Sequence, residues 1–414
     1  MKIAFFMPQS FPYGIAYSSR AQNFCRALSE VGHDVDLICD YLSDEACQTS
    51  PGRGQFEHTG IFYLREKKRT SDRFTVKPCL AAFLEKYLRA ERPDVILSSS
   101  AYDRFPVVLR AAEKHGIPLI LESCEKYDAS NWRFGKRDPR YYQFRFCWKW
   151  AYPKADGVIA ISRFLEEHYS RCGRKTLRIP TILDVGGTPA RTECAERNER
   201  VFAFAGRLGG GKDRLAEFIR AMRALGSGEG RLPVLRVYGP TREEVEKQLG
   251  EDGRLLEELQ GQIRFFGRIP QQQVADAVRA CDFSLVLRPE RESSDAGFPT
   301  KLAESMAVGT PVLANRTGDI GLYVQDGRSG LLAASHQEED ILPALRRACR
   351  MSPQELAQMR RAARETAEGS FDYRAYEAGL SRFITEIKNG GKENGISDPD
   401  RPSHLPQGEG PADP

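Results

Sequence analysis

The segment AFAGRLGGGKDRLAEFI, residues 203–219, decides how the second half of the chain is read. A short apolar run ends at Gly206, a glycine-rich turn follows, and an amphipathic helical pattern opens near Lys212. This is a strand entering a helix through a turn that brings backbone close to whatever lies above it. The N–H groups of such a turn, with the positive end of the helix behind them, suit a phosphate group. Arg207 and Lys212 add two cations at the same spot. A tight turn with solvated charges is the plainer alternative. A nucleotide-triphosphate loop is the sharper one, since Gly206, Gly211 and Lys212 match the start of G-x-x-x-x-G-K-[ST]. Asp213, however, stands where the magnesium-binding hydroxyl belongs, and its charge would repel the phosphates. No apolar strand ending in a magnesium-binding Asp follows, so an ATPase or GTPase is set aside.

The same strand–helix alternation runs outward in both directions. Strands are expected at 201–205, 234–238, 263–266, 283–287, 311–314 and 330–333. Upstream they are expected at 2–7, 34–39, 61–64, 94–98, 118–122, 157–161 and 176–179, with helices at 18–31, 77–91, 105–114 and 163–171. Near-continuous apolar strands between amphipathic helices imply a parallel sheet covered on both faces. The expected architecture is therefore α/β, with two doubly wound Rossmann-like domains in tandem, 1–182 and 201–372, joined by a polar linker at 183–200. A helical segment follows at 373–388. Residues 389–414 are rich in Gly, Pro, Asp and Ser and cannot bury enough apolar surface to order themselves.

Composition narrows the function classes. The chain has 414 residues, 41% apolar and 29% charged, ordinary for two globular domains. No apolar run approaches the roughly 18 residues of a membrane span. The opening KIAFFM is followed at once by Pro8 and reads as a first strand, not a signal peptide. Ten cysteines form no C-x-x-C pair or Cys/His cluster, so no metal site is indicated and reduced thiols in the cytoplasm are expected. The net charge of +4 is too small to argue for nucleic acid, but it is unevenly spread. Residues 1–180 hold 29 Lys/Arg against 21 Asp/Glu, which leaves the remainder slightly acidic.

A second informative segment is SDAGFPTKLAESMAVGTPVLANRTGDIGLYVQDGRSGLLA, residues 294–333. Gly297 and Pro299 make a turn ahead of a helix expected at 301–308. Glu304 lies one turn into that helix, where a carboxylate can accept two hydrogen bonds from a ribose diol; a solvated helix residue is the alternative.

These motifs resemble those of retaining glycosyltransferases of the two-Rossmann-domain type called GT-B, in glycosyltransferase family 4. The resemblance runs from Met1 to about Lys388. It implies that Arg207 and Lys212 hold the donor diphosphate and carry catalysis, and that Glu304 binds the ribose. The family signature EGFGLPxxEAMAxGxPV maps onto 296–312. Gly297, Phe298, Pro299, Thr300 and Lys301 are then expected to meet sugar and diphosphate largely through backbone N–H groups. The first glutamate of that signature is replaced by Ala296, with Asp295 beside it and Glu292 further back. Pro12-Tyr13-Gly14 resembles the family's flexible glycine loop, and Tyr238, Gly239, Arg268 and Ile269 lie where the family seats its nucleobase. Where many members have a histidine near the reacting carbon, this chain offers Glu122 and Glu125, each readable as a base or as a structural carboxylate.

The stretch 126–154 holds eight Lys/Arg, two Asp and ten aromatic residues. Two readings stay open: a helix packed on the sheet, or an interfacial segment meeting anionic headgroups. Stacked single-stranded nucleic acid is a weaker third, and no nucleic-acid partner is expected. The resulting expectation is a cytoplasmic, metal-independent transferase without cofactor, working in solution or at the inner face of a membrane. It would move a sugar from a UDP- or GDP-sugar to a lipid-linked or saccharide acceptor, with retention, in surface polysaccharide or glycolipid synthesis. A sugar-nucleotide epimerase of the same fold and a non-catalytic nucleotide-sugar-binding subunit are the alternatives.

Overall fold

A computed structural model describes residues 1–14, 16–65, 76–194, 196–208, 211–226 and 230–390. The chain forms two compact units, one of Met1–Leu183 with the segment from Tyr373 onward, the other of Asp184–Asp372.

In the first unit, strands β1 (Lys2–Phe11), β2 (Asp34–Leu42), β3 (Gln48–Ser50), β4 (Arg53–Phe56), β5 (Thr59–Tyr63), β6 (Val95–Ser99), β7 (Leu119–Ser123), β8 (Gly157–Ala160) and β9 (Lys175–Arg178) make one sheet. Its order is β3-β4-β5-β2-β1-β6-β7-β8-β9. All neighbours run parallel except β3–β4 and β4–β5. Ile3–Met7 are all buried, as a strand covered on both faces requires. Helices α1 (Ala16–Glu30), α2 (Val76–Glu91), α3 (Phe105–His115), α4 (Pro139–Phe146) and α5 (Arg163–Arg171) accompany the sheet.

Two features of this unit depart from expectation. Strand β1 runs four residues beyond Met7, through a register shift between Met7 and Ser10. The antiparallel edge formed by β3 and β4 had no sequence signal, because its strands are three and four residues long and mostly solvent-facing.

The second unit repeats the plan with β10 (Glu199–Ala205), β11 (Leu232–Tyr238), β12 (Ile263–Gly267), β13 (Phe283–Val286), β14 (Val312–Asn315) and β15 (Gly330–Ala333). The order is β12-β11-β10-β13-β14-β15, parallel throughout, so the winding reverses between β10 and β13. Such reversal points open a crevice at the carboxyl ends of the strands. Nine helices flank this sheet among the described residues: α6 (Leu215–Leu225), α7 (Arg242–Leu249), α8 (Leu255–Glu258), α9 (Gln271–Arg279), α10 (Glu292–Ala296), α11 (Thr300–Ala307), α12 (Ile320–Tyr323), α13 (Glu338–Arg350) and α14 (Pro353–Ser370). Ser352 and Glu355 close a reciprocal cap on α14, with Pro353 in its first turn where no N–H is needed.

After α14 the chain re-enters the first unit. Residues Tyr373–Tyr376 form a 3₁₀ turn that leads into α15 (Glu377–Lys388). Tyr373, Tyr376, Leu380, Phe383, Ile384 and Ile387 join the core built by Ile3, Phe5, Phe24 and Leu28. The fit is close: a Cβ on Gly157, the first residue of β8, would lie 2.7 Å from Ile387 Cδ1. The tail expected at 389–414 falls, from residue 391 on, outside the described residues.

Candidate functional site

In the second unit three neighbouring strands run out at a glycine, the last residue of β12 and the residue just after β10 and β11, and their ends are stitched together. Gly206 N donates to Tyr238 O at 3.0 Å, and Gly239 N donates to Gly267 O at 2.7 Å. Gly239 has φ +110°, and a Cβ there would fall 2.0 Å from Gly206 O. Only glycine satisfies both constraints. Beside it Tyr238 and Phe266 stack, with centroids 4.7 Å apart and an interplanar angle of 21°. Phe266 is exposed, so the pair offers an aromatic surface at the strand ends. Arg268 is exposed and Ile269 partly buried against Tyr238.

The loop after β10 is pinned just beyond Lys212. Gly211 takes φ +61°, and Arg214 N donates to Leu287 O at 3.0 Å at the end of β13. Gln248 Nε2 donates to Asp213 O at 2.9 Å, and its Oε1 accepts from Ala216 N at 3.3 Å. Helix α6 therefore opens at Leu215 and not at Lys212, because Arg214 keeps a non-helical backbone. Arg207 is exposed and Lys212 half-buried within this loop.

Helix α11 points its first turn at the same loop. Lys301 Nζ pairs with Asp213 Oδ1 at 2.7 Å and lies 4.2 Å from the Phe204 ring centroid. A Cβ on Gly206 would meet Lys301 Nζ at 2.9 Å, so the ammonium sits against the glycine turn. Desolvation lowers the Lys301 pKa, and Asp213 opposes that shift. Glu304, one turn further along α11, reaches solvent, yet crowding by protein atoms strips hydration from its carboxyl and raises its pKa; Lys301 opposes. In the sequence alone Asp213 serves only to exclude a magnesium loop. Its role as the partner of Lys301 carried no local signal, since the two are 88 positions apart.

The remaining residues of the signature turn are built in. Asp295 Oδ1 accepts from Gly318 N at 3.0 Å, and Ala296 is fully buried. Phe298 packs edge-on against Tyr323 and Phe371 at 5.4 and 5.7 Å, so its ring belongs to the core and only its backbone remains for a ligand. Gly297 is buried, Pro299 caps α11, and Thr300 opens it. Nearby, Asn315 Nδ2 donates to Arg288 O at 2.8 Å, to Glu290 Oε1 and to Thr317 Oγ1. His336 Nδ1 pairs with Glu290 as well. This polar cluster at the ends of β13 and β14 was not anticipated.

In the first unit, Gly14 follows β1 in a loop tied down by serines. Ser10 Oγ donates to Tyr13 O at 2.9 Å, Tyr13 N to Ser43 Oγ at 2.8 Å, and Ser18 Oγ to Ser10 O at 2.8 Å. A Cβ on Gly14 would fall 2.4 Å from Ser10 Oγ.

Glu122, at the end of β7, is fully buried, and both its oxygens are used. Oε1 accepts from Arg20 Nε at 2.7 Å and from Cys124 Sγ at 2.8 Å; Oε2 accepts from Tyr17 Oη at 2.5 Å. Arg20 donates further to the carbonyls of Ile179 (2.9 Å) and Pro180. Burial and the nearby carboxylate push the Tyr17 and Cys124 pKa values up, so both stay protonated donors. A carboxylate held this way has no access to substrate. The catalytic role considered for Glu122 is withdrawn in favour of its structural one. Glu125 pairs with the Tyr127 hydroxyl.

Residues 16–182 match the model of the glycosyl transferase 4-like domain, and residues 199–350 match that of glycosyl transferases group 1. The chain belongs to the GT-B glycosyltransferases, of the family 4 type. A D-inositol 3-phosphate glycosyltransferase from Actinosynnema mirum is 29% identical over 261 residues, which is 57% of this chain and 60% of that one. The chain spans less than two thirds of that relative's length, and a smaller share of another inositol-phosphate relative, 18%. Among solved structures, sucrose-phosphate synthase from Thermosynechococcus elongatus shares the fold with a TM-score of 0.71 at 16% identity, covering 94% of this chain and all of that one. Anabaena HepE, in complex with UDP and glucose, shares it at 0.63 and 17% identity, covering 93% of this chain and all of that one. Among the described residues no group of three or more His, Cys, Asp or Glu is placed to hold a metal ion, and no helix is long and apolar enough to cross a membrane.

Proposed function

We propose that this GT-B protein transfers a sugar from a nucleoside-diphosphate sugar to a saccharide or lipid-linked acceptor, retaining the anomeric configuration and needing no metal. The observation that carries this reading is the clustering in the second unit: three glycine strand ends, an exposed aromatic stack and the Lys301–Asp213 pair adjoin at one end of the sheet. Backbone that approaches closely, an aromatic surface and cations are what a base and a diphosphate require.

In this mechanism the diphosphate lies at the glycine turn, with Arg207 and Lys212 as catalytic cations and the start of α11 behind them. The bond between the anomeric carbon and the diphosphate oxygen breaks while the acceptor oxygen bonds to that carbon from the same face. The acceptor's proton passes to a diphosphate oxygen, so no protein base is required. This agrees with the structural placement of Glu122. Charge gathers on the leaving group as the bond breaks, and fixed cations stabilise it more than they stabilise the substrate. Lys301 adds a third cation once Asp213 yields it. Glu304 accepts from the ribose, and the Tyr238–Phe266 pair stacks on the base. Ala296, in place of an acid, leaves no carboxylate at that position to act as a covalent nucleophile.

The neighbour holding UDP and glucose supports a uridine donor, and relatives named D-inositol 3-phosphate glycosyltransferase support an acceptor outside protein and nucleic acid. The working place consistent with this is the cytoplasm, in polysaccharide or glycolipid synthesis. A thermal-shift screen of UDP-, GDP- and dTDP-sugars tests the donor assignment. A donor at about 100 times its Kd stabilises the protein by about 2.7 kcal/mol. No shift with any of them would count against the assignment.

A further inference from the structure

The structure sorts the aromatic residues of 126–154 into two populations. Tyr127, Trp132 and Phe144 turn inward, forming with Tyr102 a cluster whose ring centroids lie 5.2–6.4 Å apart. Trp148 stacks on His168 at 4.1 Å. Four others turn outward: Phe134 is 63% exposed, Tyr142 58%, Phe146 55% and Trp150 66%. These are half of the large hydrophobic side chains that stand exposed among the described residues. Scattered exposed apolar residues need no explanation, but a concentration of this kind does.

Tyr142, Phe146 and Trp150 follow one another at intervals of four. In an α-helix of about 3.6 residues per turn such a row drifts around the axis. Here α4 ends at Phe146 and passes into a π turn at Cys147–Ala151, whose i→i+5 bonds wind less per residue and counter that drift. The three rings therefore keep to one side, while Phe144, Cys147 and Ala151 hold the opposite side in the core. Arg145 and Lys149 each stand three residues beyond a ring of the row, on the adjoining strip. Every lysine and arginine from Arg133 to Lys154 is exposed. Only two acids stand against these seven cations: Asp138 is buried, caps α4 and pairs with Arg140 at 2.6 Å, and Asp128 is half-buried and caps the 3₁₀ turn Ala129–Asn131.

We infer that this face of the first unit docks on an anionic lipid bilayer, with Tyr142, Phe146 and Trp150 entering the headgroup–acyl boundary and the surrounding cations meeting lipid phosphates. Charge complementarity selects this occupant. A second copy of the chain would set cation against cation, whereas an anionic bilayer neutralises them and accepts aromatic rings at its boundary. The inference concerns a surface remote in sequence from the donor-binding motifs and holds whether or not a sugar is transferred.

The test is co-sedimentation of the full chain with vesicles of phosphatidylcholine and phosphatidylglycerol in about a two-to-one ratio, at about 0.15 M salt, against vesicles of phosphatidylcholine alone. Wild type should partition at least about tenfold more strongly onto the anionic vesicles. The Phe146→Ser/Trp150→Ser variant, and separately Arg145→Glu/Lys149→Glu, should each lose at least about tenfold of that partitioning while keeping the wild-type thermal transition and donor-induced shift. Trp150→Phe should retain it. Equal binding to both vesicle types, unchanged binding by the first two variants, dimerisation abolished by the same changes, or preference for a single-stranded oligonucleotide would each overturn the inference. Donor binding measured on the same samples reports separately on the transferase reading.

Discussion

Replacing Glu122 with alanine separates a structural carboxylate from a catalytic one. The side chain is fully buried, its partner Arg20 is 4% exposed, and three donors converge on its carboxylate from Tyr17, Arg20 and Cys124. Removing the carboxylate leaves a buried guanidinium without its counter-charge, with only the carbonyls of Ile179 and Pro180 to hold it. Breaking a buried pair from one side costs about 3–5 kcal/mol. That corresponds to a loss of roughly two to three and a half powers of ten in the folding equilibrium. The assay is favourable because the chain's three tryptophans, Trp132, Trp148 and Trp150, all lie in the first unit. Urea unfolding followed by tryptophan fluorescence therefore reports on that unit alone. The expected result is a clearly lower midpoint for Glu122→Ala, a smaller drop for Glu122→Gln, and donor binding retained before the transition. An unchanged midpoint together with a loss of turnover of about a hundredfold or more would refute the structural assignment and restore Glu122 as a reacting group.

Glu304→Gln should weaken donor binding at neutral pH yet leave the melting temperature equal or higher. A carboxyl whose pKa is raised in the folded state favours folding below its ordinary value of 4.5 and loses that contribution as pH rises through the folded value. Wild-type donor affinity should fall on acidification from a pH above 4.5, and calorimetry should find that dependence flattened in the variant. Gly239→Ala forces a Cβ onto Gly206 O at a left-handed φ, so it should cost at least about 1–2 kcal/mol and weaken the donor-induced thermal shift. A chain ending at Gly390 should fold like the full one. One ending at Asp372 loses six core residues, at about 1.5–3 kcal/mol for each fully buried Leu, Ile or Phe, and should be insoluble or inactive.

Most strands of the two sheets were legible because they are short runs buried on two faces, as Val201–Phe204 and Ile3–Met7 show. What was not legible depends on distance or on small backbone choices. Two partners of Glu122, Tyr17 and Arg20, come from a helix about a hundred positions earlier, so a lone buried carboxylate could not be told from a base. The Lys301–Asp213 pair hides behind a sequence gap of the same kind, and the signature turn directs attention to the backbone of Lys301, not to its ammonium. Trp148 and Trp150 look alike in sequence; a π turn sends one inward and the other out. The β3–β4 edge is too short and polar to show an alternation at all.

The claim at the centre of this account is that cations of the β10–α6 loop carry sugar transfer from a nucleoside-diphosphate donor. The direct measurement is release of nucleoside diphosphate from UDP-, GDP- and dTDP-sugars in the presence of saccharide and lipid-linked acceptors, with EDTA throughout, for wild type and Lys212→Ala. The account predicts acceptor-dependent release from one donor that survives EDTA and falls by about 10²–10³ in Lys212→Ala, the scale for removing one group that stabilises developing charge. Equal rates in the two proteins, or release that vanishes with EDTA and returns with magnesium or manganese, would contradict it.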